Sequence, residues 1–266
     1  MLVDTHCHLH DSEFYPKNRE EAYRATISAG VATVCVGTNA QSSCEAIEFC
    51  ATHPLTWPVI GVHPHDSTEG WQGIAQLLVS HRESVIGIGE IGLDYYYNHS
   101  PKNVQAEALE AQIQLALDNG LPISFHVRDA FDDFWPIIDN FHGIRGVMHS
   151  FTDTAENAEQ GFMRGLYVGL NGISTFTKNP DQVKFFTSVP LRHILFETDA
   201  PYLTPKPFRG KMNVPAYVGS VAEFHAATRG MSLEALSSAT TANAEVLFGV
   251  PFREQFKLFA SSKPAV

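Results

Sequence analysis

"SVIGIGEIGLD" (84–94) is followed by a helical stretch at 102–119 and then by "LPISFHVR" (121–128). Both apolar runs are short and rich in Ile, Val, Leu or Phe, and the helix between them ends at Gly120. A strand, a long helix and another strand read as a crossover unit, which sets the two strands parallel. Both runs also carry ionisable residues near their C-terminal ends: Glu90 and Asp94 in the first, His126 and Arg128 in the second.

The same alternation extends in both directions. Upstream lie "MLVDTHCH" (1–8), the helical "NREEAYRATISAG" (18–30), "VATVCVG" (31–37), a helix at 41–52, "WPVIGVHPH" (57–65) and a helix at 69–81. Downstream lie a helix at 129–140, "GVMHSF" (146–151), the helical "TAENAEQGFMRG" (154–165), "LYVGLNG" (166–172), a helix at 180–188 and "RHILFETDAP" (192–201). Two helices, 215–229 and 232–247, close the series. Eight such units in 266 residues predict an α/β fold, a single-domain (β/α)8 TIM barrel with extra C-terminal helices; that architecture typically takes about 250 residues. A doubly wound sheet is the alternative. The barrel is assigned to residues 1–250. Residues 251–266, ending in "SSKPAV" (261–266), are expected to form a C-terminal tail.

Composition narrows the function. With 44% hydrophobic and 18% charged residues, the chain can bury a sizeable core. No apolar run reaches the ~18 residues of a membrane span, and the N-terminus lacks the pattern of a signal peptide, so a cytoplasmic protein is expected. Cys7, Cys35, Cys44 and Cys50 contain no CxxC pair and read as free thiols, Cys7 and Cys35 in the core. A formal charge of −11 argues against coating nucleic acid by bulk attraction. It does not exclude an enzyme that meets phosphate through bound metal ions.

The ionisable residues cluster at strand ends. The first strand ends on His6 and His8, the third on His63 and His65, the fourth on Glu90 and Asp94, the fifth on His126 and Arg128, the sixth on His149, and the eighth on Glu197 and Asp199. In a (β/α)8 barrel these ends converge on one mouth. Period-two alternation puts His6 and His8 on one face with Cys7 turned to the helices, and pairs Glu197 with Asp199. An HxH alone is ordinary strand polarity, and a single His126 or His149 is ordinary core polarity; the full set at converging positions points to metal. Imidazole with carboxylate suits Zn, Mn or Ni, and the carboxylates also admit Mg. Even four of these histidines with two of the carboxylates exceed what one tetrahedral ion needs, so a pair of divalent ions is expected. His10 lies beyond the strand and is expected to face solvent or the loop. Tyr95, Tyr96 and Tyr97 read either as packing or as a surface on which bases stack.

Taken together, "LVDTHCHL" (2–9), "GEIGLDY" (89–95), "PISFHVRDA" (122–130), "MHSF" (148–151), "LFETDAP" (195–201) and "NAEVLFG" (243–249) resemble the TatD family of metal-dependent nucleases, within the amidohydrolase superfamily of barrels. The resemblance implies that His6, His8 and Asp199 hold one ion, that Glu90 bridges both, and that His126 and His149 hold the second. It implies that Asp199 also takes a proton from the attacking water, and that His63 and Arg128 lie near the substrate phosphate. In "GKMNVPAYV" (210–218), Met212 and Val214 stand where relatives usually carry Arg and Glu, which leaves Lys211 as the cation of that segment.

The expected activity is therefore hydrolysis of DNA phosphodiester bonds, exonucleolytic on single strands, with Asp199 and Glu90 in catalysis and Arg128 and Lys211 as phosphate contacts. The expected partner is single-stranded DNA, with no membrane and no protein partner implied. The alternative keeps the metal site but attacks a carboxylic ester or amide, an aminoacyl-tRNA or a small molecule. A non-catalytic metal-stabilised scaffold is the third reading and accounts least well for a base beside open metal positions.

Overall fold

The computed structural model describes residues 1–262. Eight strands, β1 Leu2–Cys7, β2 Val31–Val36, β3 Thr56–Ile60, β4 Gly87–Asp94, β5 Ile123–Arg128, β6 Gly146–Met148, β7 Leu166–Leu170 and β8 Ile194–Phe196, form one sheet in sequence order, with every neighbouring pair parallel. The sheet closes between its first and last strands. Asp199 N–H donates to the His6 carbonyl at 2.9 Å and His8 N–H donates to the Ala200 carbonyl at 2.8 Å. Side chains reinforce this seam: the buried Asp4 carboxylate accepts from Thr198 N–H and its hydroxyl, and Thr5 donates to the Phe196 carbonyl. The fold is the expected (β/α)8 TIM barrel rather than an open doubly wound sheet.

The crossover helices are α1 Arg19–Ser28, α2 Ala40–Thr52, α3 Gln72–His81, α4 Lys102–Asp118, α5 Phe131–Ile138, α6 Ala155–Met163 and α7 Pro180–Ser188. After β8 come α8 Val218–Arg229, α9 Leu233–Phe248 and α10 Phe252–Ser262. Local chemistry sets their limits. Asn39, Thr154, Asn179 and Ser232 accept backbone N–H groups at helix starts, and Gly230 and Gly249 end α8 and α9 in the left-handed conformation. The helices lay apolar faces on the barrel; Leu109, Ile113 and Ala116 of α4, for example, are fully buried beside Ile88 and Ile91 of β4.

The C-terminal segment differs from the expected tail. Phe252 is fully buried, packs edge-on to Trp57 at 4.8 Å, and joins Phe248 and Val250 in a core cluster with Val3, Val34, Val59, Val147 and Leu195 of five strands. Phe256 and Phe259 pack on the same cluster. Apolar residues at 252, 256 and 259 follow helical spacing, so this stretch is a helix docked near the start of β3, away from the histidines. Residues 263–266 of "SSKPAV" lie outside the described residues.

Candidate metal centre

Glu90 is the hub of the strand C-termini. It lies on β4 and is buried. Its Oε1 is 2.7 Å from His126 Nδ1, 2.8 Å from His149 Nε2 and 3.5 Å from His63 Nε2, and its Oε2 is 3.3 Å from His6 Nε2. Gly92 makes room for this packing. A Cβ there would sit 1.7 Å from the His126 carbonyl oxygen, so only glycine lets β4 and β5 approach closely enough to bring the carboxylate and imidazole together.

Asp199 faces the hub from the closing seam. Its backbone is left-handed, with φ of 55°, a conformation that aspartate tolerates better than most residues. Its Oδ1 lies 3.4 Å from His8 Nε2 and 3.9 Å from His6 Nε2. His6 and His149 stack with ring centroids 3.9 Å apart and planes at 16°. Histidines from opposite sides of the barrel are thus in van der Waals contact.

Each ring is also held from behind. His8 Nδ1 is 2.8 Å from the Val36 carbonyl, so that nitrogen must carry the proton and donate it. His6 Nδ1 meets the Ser124 hydroxyl at 3.3 Å. His126 Nε2 is 2.9 Å from Asp94 Oδ2, and His149 Nδ1 is 3.6 Å from Glu197 Oε1. Glu197 in turn accepts from Ser150 N–H at 2.6 Å. A Cβ on Gly169 would lie 2.1 Å from the Glu197 carboxylate, so a bare backbone at 169 is needed to seat it.

Electrostatics follow from this crowding. Burial pushes Glu90 upward, but the surrounding imidazoles, His149 and His63 first among them, hold it well below the usual carboxylate range. Burial likewise opposes ionisation of Asp199, and His8, His149 and His6 outweigh it to keep its pKa low. Burial depresses His149, while Glu90 and Glu197 lift it well above normal. Burial and the neighbouring His126 push His63 well below its ordinary value.

The donor set fits a divalent metal. His6 Nε2 is buried without a hydrogen-bond partner although it is aimed at both carboxylates. With Nδ1–H committed to Val36, a neutral His8 presents a lone pair to Asp199, and only a proton or a cation between them makes that contact favourable. Three sets of ligand atoms lie within coordination range of one another: His6, His149 and Asp199; His6, His8 and Glu90; and His63, Glu90 and His126. Borderline imidazole and hard carboxylate together suit a first-row divalent ion.

The mouth around this cluster encloses about 650 Å³ and includes His8, His63, Glu90, His126, Arg128, His149 and Asp199. Of the residues assigned to the site from sequence, His6 is fully buried against Glu90 beneath the mouth, and Lys211 is elsewhere. It is exposed, with its ammonium 5.7 Å over the Phe208 ring, and does not line the mouth. His63 lines the mouth, where a substrate could meet it, and also belongs to a set that could bind metal. His10 departs from expectation. It is fully buried, with Nε2 3.0 Å from the Ser42 hydroxyl and its carbonyl accepting from Arg19. The chain turns inward after β1, through Asp11 N–H donating to the His8 carbonyl, and tucks His10 behind His8 instead of exposing it.

Sequence reasoning gave no role to Asp94, His65 and Glu197. Asp94 Oδ2 binds His126 and also His65 at 3.0 Å, while Oδ1 accepts from Tyr96 and Tyr97 N–H. Their place at strand ends was the available signal; their function as braces depends on side-chain direction. Of the aromatic walls of the mouth, Tyr97 falls in the run read as packing or a stacking surface, whereas Phe14 and Tyr202 on the other side were hidden among loop residues.

Imidazoles and carboxylates gathered at the strand C-termini of a (β/α)8 barrel define a metal-dependent hydrolase site. The sequence comparisons agree. The TatD related DNase family matches residues 3–249, and the chain belongs to that family. It is 37% identical over 255 residues to an uncharacterized metal-dependent hydrolase of Bacillus subtilis, covering 94% of this chain and 100% of that protein. It is 33% identical over 265 residues to a 3'-5' ssDNA/RNA exonuclease, TatD, of Salmonella typhimurium, covering 94% and 100%. A crystal structure of a TatD homolog from Escherichia coli superposes with a TM-score of 0.87 at 25% identity, covering 94% of this chain and 98% of that one. The protein is accordingly a hydrolytic enzyme of this family. Among the described residues no helix is long and apolar enough to cross a membrane.

Proposed function

We propose that this hydrolase cleaves phosphodiester bonds of single-stranded DNA from an end, using two divalent ions, and acts in the cytoplasm without a protein partner. The observation that carries the reading is Glu90: one buried carboxylate with imidazoles against both oxygens, shared by two overlapping ligand sets. That arrangement exceeds the four ligands of a single tetrahedral ion and suits a bridge. His6, His8 and Asp199 would hold one ion, Glu90 both, and His126 and His149 the other. When bound, such ions supply Lewis acidity that activates water at neutral pH and offsets charge developing on the phosphoryl oxygens.

The chain's own groups do the rest. Asp199 is the least buried of the two carboxylates, its side chain 15% exposed against 5% for Glu90. It can therefore reach a water in the mouth and take its proton. Arg128 offers charge-assisted hydrogen bonds to a phosphate oxygen. The relative named as an ssDNA/RNA exonuclease supports this substrate class.

A second reading, hydrolysis of a carboxylic ester or amide, draws support from the charge of the mouth. Arg128 is the one Lys or Arg among its described lining residues, and Met212 stands at the position where the family resemblance implies an Arg. One assay separates the readings. Purified protein is analysed for bound metal and incubated with end-labelled single-stranded DNA, with and without chelator. Progressive end-release that stops with chelator and in Asp199→Asn and Glu90→Ala is the expected result. Chelator-insensitive release, or full activity in both variants, overturns the proposal. Bound metal with intact DNA and cleaved aminoacyl-tRNA selects the second reading.

A further inference from the structure

Beside the mouth lies a smaller cavity of about 270 Å³. The two share Val127, Arg128, His149 and Thr152 as walls, so they adjoin at the ends of β5 and β6. Tyr96 gives the smaller cavity an exposed aromatic side, with the buried Phe131 and Phe151 behind its lining, and Asp129 is among its walls. The Arg128 guanidinium carbon sits 4.0 Å over the Tyr96 ring and 4.8 Å over the Tyr97 ring. Among the described residues that guanidinium has no hydrogen-bond or ion-pair partner. Rings against the face of a guanidinium leave its N–H edge free for an anion. One oxygen of the neighbouring Asp153 carboxylate, Oδ1, accepts from Thr154 N–H and the Asn157 amide, whereas among the described residues no side-chain partner engages Asp129.

We infer that this cavity seats the base of a single unpaired terminal nucleotide whose phosphate lies between Arg128 and the metal cluster. The inference rests on the phosphodiester reading above and adds where the base goes. Three features converge on it. The cavity adjoins the cluster through Arg128 and His149, so a phosphate at the cluster and a base in the cavity belong to one nucleotide. Its volume suits one base and excludes a paired duplex end. Its chemistry is that of a base site: the exposed Tyr96 ring for the π face, and a free carboxylate to accept from an exocyclic amino group. Adenine, cytosine and guanine have that amino group and thymine does not, so thymine gains only the stacking.

Calorimetry on the metal-loaded protein tests this without any turnover. The probes are 2'-deoxyadenosine 5'-monophosphate and 2-deoxyribose 5-phosphate, which present the same phosphate with and without a base. The nucleotide should bind about tenfold or more tightly than the sugar phosphate, the range that stacking on an aromatic side chain gives. The ratio should fall toward one in Tyr96→Ala and persist in Tyr96→Phe. Tyr96 is 59% exposed, so its replacement leaves the fold intact, and unchanged binding of the sugar phosphate verifies that. The assignment is overturned by no measurable nucleotide binding, by a ratio of one in the unmodified protein, by a ratio unchanged in Tyr96→Ala, or by one abolished in Tyr202→Ala instead, which would put the base on the opposite wall. Wild-type protein that leaves DNA uncut refutes the nuclease reading whatever this ratio is. Normal cutting with a ratio of one refutes the base site alone.

Discussion

The two flanks of Glu90 are built differently. On the β5–β6 flank, carboxylates stand behind both imidazoles: Asp94 behind His126 at 2.9 Å and Glu197 behind His149 at 3.6 Å. On the β1 flank, a backbone carbonyl and a hydroxyl stand behind them: Val36 behind His8 at 2.8 Å and Ser124 behind His6 at 3.3 Å. A carboxylate behind an imidazole makes it a stronger donor to a cation, whereas a carbonyl chiefly fixes its tautomer and direction. In the proposed assignment Asp199 compensates on the β1 flank by contributing a charged ligand directly. The flanks should therefore differ in what holds an ion: on one side the bracing charges, on the other the ligand itself and the closure of the barrel.

The largest effect should come from the residue both flanks share. Glu90→Ala removes the carboxylate that four imidazoles face, and metal content measured by mass spectrometry should fall at both positions, with hydrolysis reduced more than about a hundredfold. Retention of one full equivalent would show that the flanks bind independently and that Glu90 is no bridge.

Asp94→Asn should sharpen the contrast. It keeps the shape and the contacts to Tyr96 and Tyr97 N–H but removes the charge behind His126. Weakening of one metal by about ten- to a hundredfold, with the other unchanged, is the outcome typical of such bracing groups. Glu197→Gln should act in the same direction and by less, because its contact with His149 is longer. Equal weakening of both ions in a metal titration would contradict the division into flanks.

The two flanks were also unequally legible in the sequence. Short apolar strands alternating with helices pointed to the barrel, the barrel brings the polar strand ends to one mouth, and period two pairs His6 with His8 and Glu197 with Asp199. These are consequences of backbone geometry, which local sequence encodes. The resemblance to the TatD family implied which of these residues are ligands. The braces were not legible, because whether Asp94 or Glu197 points at a ligand or at solvent is set by contacts between residues distant in the chain. His10 was misread for a related reason: nothing local reveals the inward turn after β1 that buries it against Ser42. The helix at 252–262 was legible in the spacing of Phe252, Phe256 and Phe259, yet its terminal position favoured reading it as a tail.

His10 provides a control on the β1 flank. It packs behind His8, with ring centroids 6.2 Å apart, but faces neither Glu90 nor Asp199. Burial, and then the neighbouring His8, keep it well below its ordinary pKa, so it is a neutral packing group. His10→Gln should lower thermal stability, by about 1–3 kcal/mol for disturbing a buried polar contact, and leave metal stoichiometry at the wild-type value. Loss of the β1-flank ion would mean that His10 acts through His8 and that this flank, too, depends on a brace.

The smallest effect is expected at Lys211, and it tests where the charge of the mouth resides. Arg128 lines the mouth with its guanidinium edge free, while Lys211 lies over Phe208 outside it. If phosphate is met through Arg128, Arg128→Ala should raise KM for single-stranded DNA by about tenfold or more, the loss of one charge-assisted contact. Lys211→Ala should change kcat/KM by less than about twofold, and its influence should vanish in high salt, because an exposed charge acts at a distance only within the screening length. A Lys211 effect as large as that of Arg128, and persistent in salt, would require the 204–211 loop to close over the bound strand. The cation supplied by the β8 side would then balance the one supplied by β5, and the two flanks would resemble each other in substrate contact as they do not in metal bracing.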